Sequence, residues 1–180
     1  MKSMRMGIGE SIYILVISLL YLTYGVVQLY NGVIEWWLPW LGGTVQIGVP
    51  VLDTYVPNAF PDIFSGFVLL TVGAVLLRAA YLNHLGDEKY YGHLFVGWLL
   101  AMILMILNIL VIVADILDVY YPLVWGGEIE EGWSLAGDAW GIAPHLILGL
   151  LLTVFYPEMR GILGELSPMK YGLNQNKVKE

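Results

Sequence analysis

Four stretches of this chain are each apolar and long enough to cross a bilayer as a helix. No other feature of the sequence limits the fold as strongly. They run from about Ile12 to Tyr30, Ile63 to Leu82, Leu94 to Leu117 and Trp140 to Tyr156, giving expected spans 12–30, 63–82, 94–117 and 140–156. At 1.5 Å per residue, roughly 17–24 residues cover about 30 Å of hydrocarbon. Pro61, Pro122 and Pro157 stand at span ends, where helices tolerate or demand a stop. Composition agrees: 58% of the 180 residues are apolar, 13% are charged and the mean hydropathy is +0.73. That leaves too little polar surface for a water-soluble globule and too much hydrophobicity for disorder.

The first stretch follows Lys2 and Arg5, but it is too long for a secretory leader, and Glu35-Trp36-Trp37 follows it rather than a small-residue cleavage site. It reads as an uncleaved signal anchor. There is no Cys, so disulfides, thiolate metal sites and Cys nucleophiles are excluded.

Lys2, Arg5, Arg78, Lys89, Arg160, Lys170, Lys177 and Lys179 are all the basic residues. None falls between Asn31 and Leu77, or between Val119 and Met159. With four spans they share one side, and the positive-inside rule makes that side the cytoplasm. The expected protein therefore lies in the cell membrane as a multi-pass chain with both termini cytoplasmic and a cytoplasmic tail at 157–180.

The opposite side is acidic and aromatic. It carries Glu35, Asp53, Asp62, Asp118, Glu128, Glu130, Glu131 and Asp138, with Trp36, Trp37, Trp40, Trp125, Trp133 and Trp140. An interfacial aromatic belt with solvated acids is one reading, and a surface for a cationic partner is another. Glu128, Glu130 and Glu131 do not match a calcium-loop spacing. The connection from Asn31 to Asp62 is long and apolar. Val45, Ile47, Val49 and Val51 alternate at period two, which predicts extended structure and a short hairpin turning near Gly48–Pro50. Such a loop is either a lid over an outward-facing cavity or a passive interfacial cap.

Small residues recur at helical spacing. They are Ser11, Ser18, Gly25 and Gly32 in the first span, Gly66, Gly73 and Ala80 in the second, Gly97 and Ala101 in the third, and Gly141 and Gly149 in the fourth. They allow close helix approach, and a seven-residue period implies left-handed packing at roughly 20°. The expected fold is an all-α integral membrane protein, a single antiparallel left-handed four-helix transmembrane bundle with a Trp-rich outer loop between helices one and two. Gly25, Gly66, Gly73 and Gly149 are its expected packing positions.

Polar residues at depth are the candidate site. Asp115, Asn108 and His145 share the small-residue stripes, and Gln28 lies near the outer end of helix one. Counted from the span ends, Asp115 and His145 fall at one level and should meet directly or through one water. An ionisable residue within a membrane helix either fixes helix register or marks a ligand or proton path. Asp118, one turn from Asp115, adds a carboxylate. With His145 the two acids make an O/O/N set, but no HExxH or Glu-x-x-His motif accompanies it, so no metal is expected. His84 and His93 flank the short inner turn, which reads as solvated.

No phosphate loop, paired deep histidines or serine nucleophile with a base is evident, and no basic patch suggests nucleic acid. Gly25-Val26-Val27-Gln28-Leu29 and Gly66-Phe67-Val68-Leu69-Leu70-Thr71-Val72-Gly73 resemble segments of the small four-helix DoxX-type membrane proteins, over under a tenth of the chain. The resemblance implies a four-helix membrane fold, and no residue roles follow from it.

The functional expectation is a non-enzymatic membrane subunit or oligomeric bundle with an outward-facing buried polar site. One alternative is a small-cation or proton permeation or carrier protein with Asp115 and His145 on its path. Another is a lipid- or quinone-binding redox accessory subunit. A dry core, a water-filled cavity reaching Asp115, or a lateral apolar opening near His145 would favour them in that order. The expected partners are the lipid bilayer and copies of the chain or other membrane subunits. The sequence identifies no cofactor.

Overall fold

The computed structural model describes residues 6–51, 54–129, 132–135, 137–138 and 141–160. Most of the expected tail, and Lys2, Arg5, Asp53, Glu130, Glu131 and Trp140, lie outside the described residues. The fold is mostly helical, with three helices among the described residues long and apolar enough to span a membrane.

Helix α1 is Ile8–Trp37. Glu10 accepts a hydrogen bond from the Gly7 N–H at 2.8 Å and closes its first turn. The helix outruns the expected span because Asn31–Trp37, although more polar, continues its periodicity. It stops at Leu38, which precedes Pro39 and leaves helical geometry with φ −131° and ψ 45°. Helix α2 is Ile63–Leu85, and Asp62 caps it by accepting from the Phe64 N–H at 2.9 Å and the Ser65 N–H at 3.1 Å. It ends at Gly86, whose φ of 74° is left-handed. There the Asp87 N–H reaches back to the Leu82 carbonyl at 3.0 Å. Helix α3 is Tyr90–Tyr120 and tightens into a 3-10 turn, Tyr121–Trp125, at Pro122.

The fourth stretch departs from expectation. Helix α4 is only Pro144–Leu152, because Pro144 fits the first helical turn and the preceding residues do not join it. A 3-10 turn at Thr153–Phe155 interrupts it, and helix resumes over 156–160. Pro157 has no N–H to give and its ring clashes with a carbonyl four residues back, which accounts for the break. From 144 to 160 the helical path is roughly 25 Å.

Backbone contact between α1 and α2 is close. A Cβ on Gly25 would lie 2.8 Å from Leu70 N, one on Gly66 2.5 Å from Leu29 N, and one on Gly32 2.7 Å from Ile63 N. The partners run in opposite directions along the two helices, so the pair is antiparallel. Gly73 fits against Leu22 in the same way, Gly97 of α3 against Leu76 of α2, and Gly149 of α4 against Met105 of α3. Helix α4 also touches α1, where the Tyr13 hydroxyl donates to the Leu151 carbonyl at 2.7 Å. Tyr21, Ile14, Leu69, Leu76 and Leu148 are buried among the helices, whereas Leu19, Phe64, Phe67, Leu107 and Leu110 point outward. Apolar residues on both sides of a helix are what a lipid environment permits.

Between α1 and α2, strands β1 (Val49–Val51) and β2 (Thr54–Val56) form an antiparallel hairpin with Val51 opposite Thr54. Gly48–Pro50 is therefore not the turn that the sequence suggested, since Val49 and Pro50 pair with Val56 and Tyr55 within the ladder. Alternation marks extended backbone but not where it folds back. Asn31 of α1 ties both limbs of this connection to the bundle. Its amide nitrogen donates to the carbonyls of Val45 at 2.8 Å and Ala59 at 2.9 Å, and its oxygen accepts from the Val45 N–H at 2.8 Å.

Candidate functional site

Each of the four helices contributes one polar residue to a single region near the hairpin end. Gln28 of α1 is fully buried, Asn108 of α3 and His145 of α4 are nearly so, and Ser65 stands in the first turn of α2. The Ser65 hydroxyl donates to Gln28 Oε1 at 2.9 Å, and its oxygen lies 3.5 Å from His145 Nδ1. With its only proton given to Gln28, Ser65 accepts from a protonated Nδ1. A relay of side chains therefore crosses from α1 through α2 to α4. The Gln28 amide nitrogen has no hydrogen-bond partner among the described residues.

His145 and Asn108 line a cavity of about 220 Å³ together with Asp62 and Ser65. Its remaining wall is apolar, formed by Phe64, Val68, Leu69, Leu104, Leu107 and Val111. Of these, Phe64 of α2 is 84% exposed and Leu107 of α3 52%, so the wall that these two helices form reaches the protein surface. The connection covers its hairpin end. Phe60 packs edge-on to the His145 ring with centroids 6.5 Å apart, and the Asn58 N–H donates to the Ile142 carbonyl at 2.8 Å.

Of the residues singled out in the sequence, the structure brings Gln28, Asn108 and His145 together. Asp115 and Asp118 do not line the cavity. Asp115 is half-buried and interacts instead with Asp138 and Asp118, and Asp138 accepts from the Trp133 indole N–H at 2.8 Å. The acid that lines the cavity with His145 is Asp62. The difference arises from where the helices end. α3 continues to Tyr120 and α4 starts only at Pro144, so His145 is the second residue of its helix and shares its level with Asn108. Among the described residues, no three His, Asp or Glu side chains converge as metal ligands, so the O/O/N set of Asp115, Asp118 and His145 does not form.

Sequence reasoning missed Ser65, Asn31 and Asp62. Ser65 adjoins Gly66 on the close-packed face, and Asn31 follows Gln28 by three residues on the face of α1 that carries Gly25 and Gly32. Those spacings were available signals. Asp62 had the cap pattern, an acid directly before an apolar run.

The family model of the MJ0565 integral membrane domain matches residues 10–160. No curated protein and no solved structure matches the chain. The match covers the site, α2, α3, α4 and all but the first two residues of α1. The chain belongs to the MJ0565 integral membrane domain family.

Proposed function

We propose that this protein binds an amphipathic membrane lipid, with the polar head in the cavity at Ser65, Asn108 and His145 and the tail in the bilayer. The observation that carries this reading is the cavity wall on α2 and α3. Exposed apolar residues of α2 and α3, Phe64 and Leu107, share one cavity wall with the buried Asn108 and His145, which supports entry from the side of the bundle. Enclosed small-molecule pockets run to about 300–1,000 Å³, so 220 Å³ suits a headgroup and its first carbons rather than a whole lipid. Apolar walls with a few convergent polar groups are the usual make-up of such sites.

The reading includes a four-helix arrangement in which the broken α4 is the fourth span, supported by its contacts with α1 and α3. It also includes cytoplasmic termini, supported by the one-sided basic residues. The protein acts by binding rather than by chemistry, alone or as a subunit of a larger membrane assembly.

The test uses purified protein in neutral detergent with dioctanoylglycerol as probe. Added probe should raise the unfolding temperature saturably, because a ligand that binds only the folded state stabilises it. Val111→Phe, which fills the cavity, should remove the shift. An unchanged shift in that variant would show that the lipid binds elsewhere.

A further inference from the structure

The charges around the cavity restrict its ligand further. This step rests on the lipid-binding reading above. None of the described lining residues is Lys or Arg, and the sequence has none from 32 to 77 or from 119 to 159. Arg78, the nearest basic residue along α2, is nine residues beyond Leu69, or roughly 13 Å of helix, and its guanidinium lies 5.6 Å from the centre of the Tyr81 ring. One formal charge does line the cavity, the Asp62 carboxylate. It already accepts the Phe64 and Ser65 N–H groups and sits at the positive end of α2. It is therefore stabilised without a cation, while remaining a negative charge that an anion must approach.

We infer that the cavity selects lipids with an uncharged, hydroxyl- or carbonyl-bearing head and rejects phosphate-bearing ones. A phosphate here would be desolvated beside a carboxylate with no Lys or Arg among the described lining residues to compensate it. A neutral head carries hydroxyl and carbonyl groups of the same kind as the Ser65 hydroxyl, the Asn108 amide and the His145 imidazole of the wall, so it can exchange hydrogen bonds there without bringing in a charge.

Two probes with the same tails isolate the head: dioctanoylglycerol and dioctanoyl phosphatidate, titrated against the full-length protein in neutral detergent. The expected result is that the phosphatidate binds at least about tenfold more weakly, as like-charge juxtaposition requires. Asp62→Asn keeps a capping side chain but removes the charge, so it should narrow that ratio by selectively improving phosphatidate binding. Equal or tighter phosphatidate binding by the unmodified protein, abolished by Val111→Phe, would overturn the charge selection and leave lipid binding standing. Binding of neither probe would overturn the lipid-binding reading itself. An unchanged ratio in Asp62→Asn would show that the carboxylate is not the discriminating group.

Discussion

The indole N–H of Trp98 on α3 donates to the carbonyl of Leu152 on α4 at 3.0 Å, inside the bundle. That carbonyl stands where α4 tightens into its 3-10 turn and the Tyr156 N–H turns to Thr153, three residues back. The neighbouring carbonyls are served in the same way, Leu151 by the Tyr13 hydroxyl and Leu150 by Thr153 Oγ1. A broken helix needs other groups to satisfy the released backbone, and Tyr13 of α1, Trp98 of α3 and the Thr153 hydroxyl supply them here.

Trp98→Phe should therefore cost about 1–3 kcal/mol, the price of leaving a buried carbonyl unmet. Tyr13→Phe retains the ring contact with Phe155 and should cost less, because this bond is more exposed. Unfolding followed by circular dichroism in detergent checks both. A Trp98→Phe protein as stable as the parent would mean that water or lipid serves the Leu152 carbonyl.

The glycines divide into two groups. Gly66→Ala should destabilise by about 1–3 kcal/mol, since its Cβ would strike the α1 backbone at Leu29. Gly92→Ala has nothing within 4 Å of the new methyl and should be neutral or stabilising by up to about 1 kcal/mol. Denaturation of the two variants side by side makes the comparison. Similar losses in both would remove close approach as the role of Gly66.

Asn31→Ala removes all three bonds that hold the connection between α1 and α2. The expected outcome is a loss of about 1–3 kcal/mol together with faster proteolysis within 38–62. Cleavage at the parent's rate would mean that the hairpin and the Asn58–Ile142 bond suffice to hold it.

Trp36, Trp37 and Trp40 are between 64% and 74% exposed, and no charged residue occurs from 36 to 52. Backbone outside helices is not tolerated in hydrocarbon, so this segment belongs at the headgroup level. Lipids brominated near the headgroup should quench tryptophan emission more strongly than lipids brominated near the chain ends. Stronger quenching by the deep bromines would place these residues within the hydrocarbon.

The membrane class and the positions of the long helices were legible because hydropathy over about 20 residues carries that information directly. The site was legible only in part. Gln28, Asn108 and His145 stand out as polar residues in apolar runs. Their grouping depends on where α3 and α4 end, and apolarity fixes a helix end only to within a few residues. The late start of α4 at Pro144, together with the continuation of α3 to Tyr120, exchanged Asp115 for Asn108 as the neighbour of His145 at the cavity. Ser65 and Asn31 were hidden for another reason. Small polar residues are common in membrane helices, and only packing distinguishes one that bridges three helices from one that bonds its own turn, as Thr23 does to Leu19.

Lipid that reaches the buried polar groups from the side of the bundle must pass the α2 and α3 residues that wall the cavity. Photolabelling with a dioctanoylglycerol that carries a diazirine in its acyl chain tests this most directly. Excess unlabelled dioctanoylglycerol should remove the saturable part of the labelling, and mass spectrometry should map that part to 64–68 and 104–111. Labelling spread evenly over lipid-facing positions such as Leu19, Phe67 and Leu110, with no competable fraction, would contradict the account.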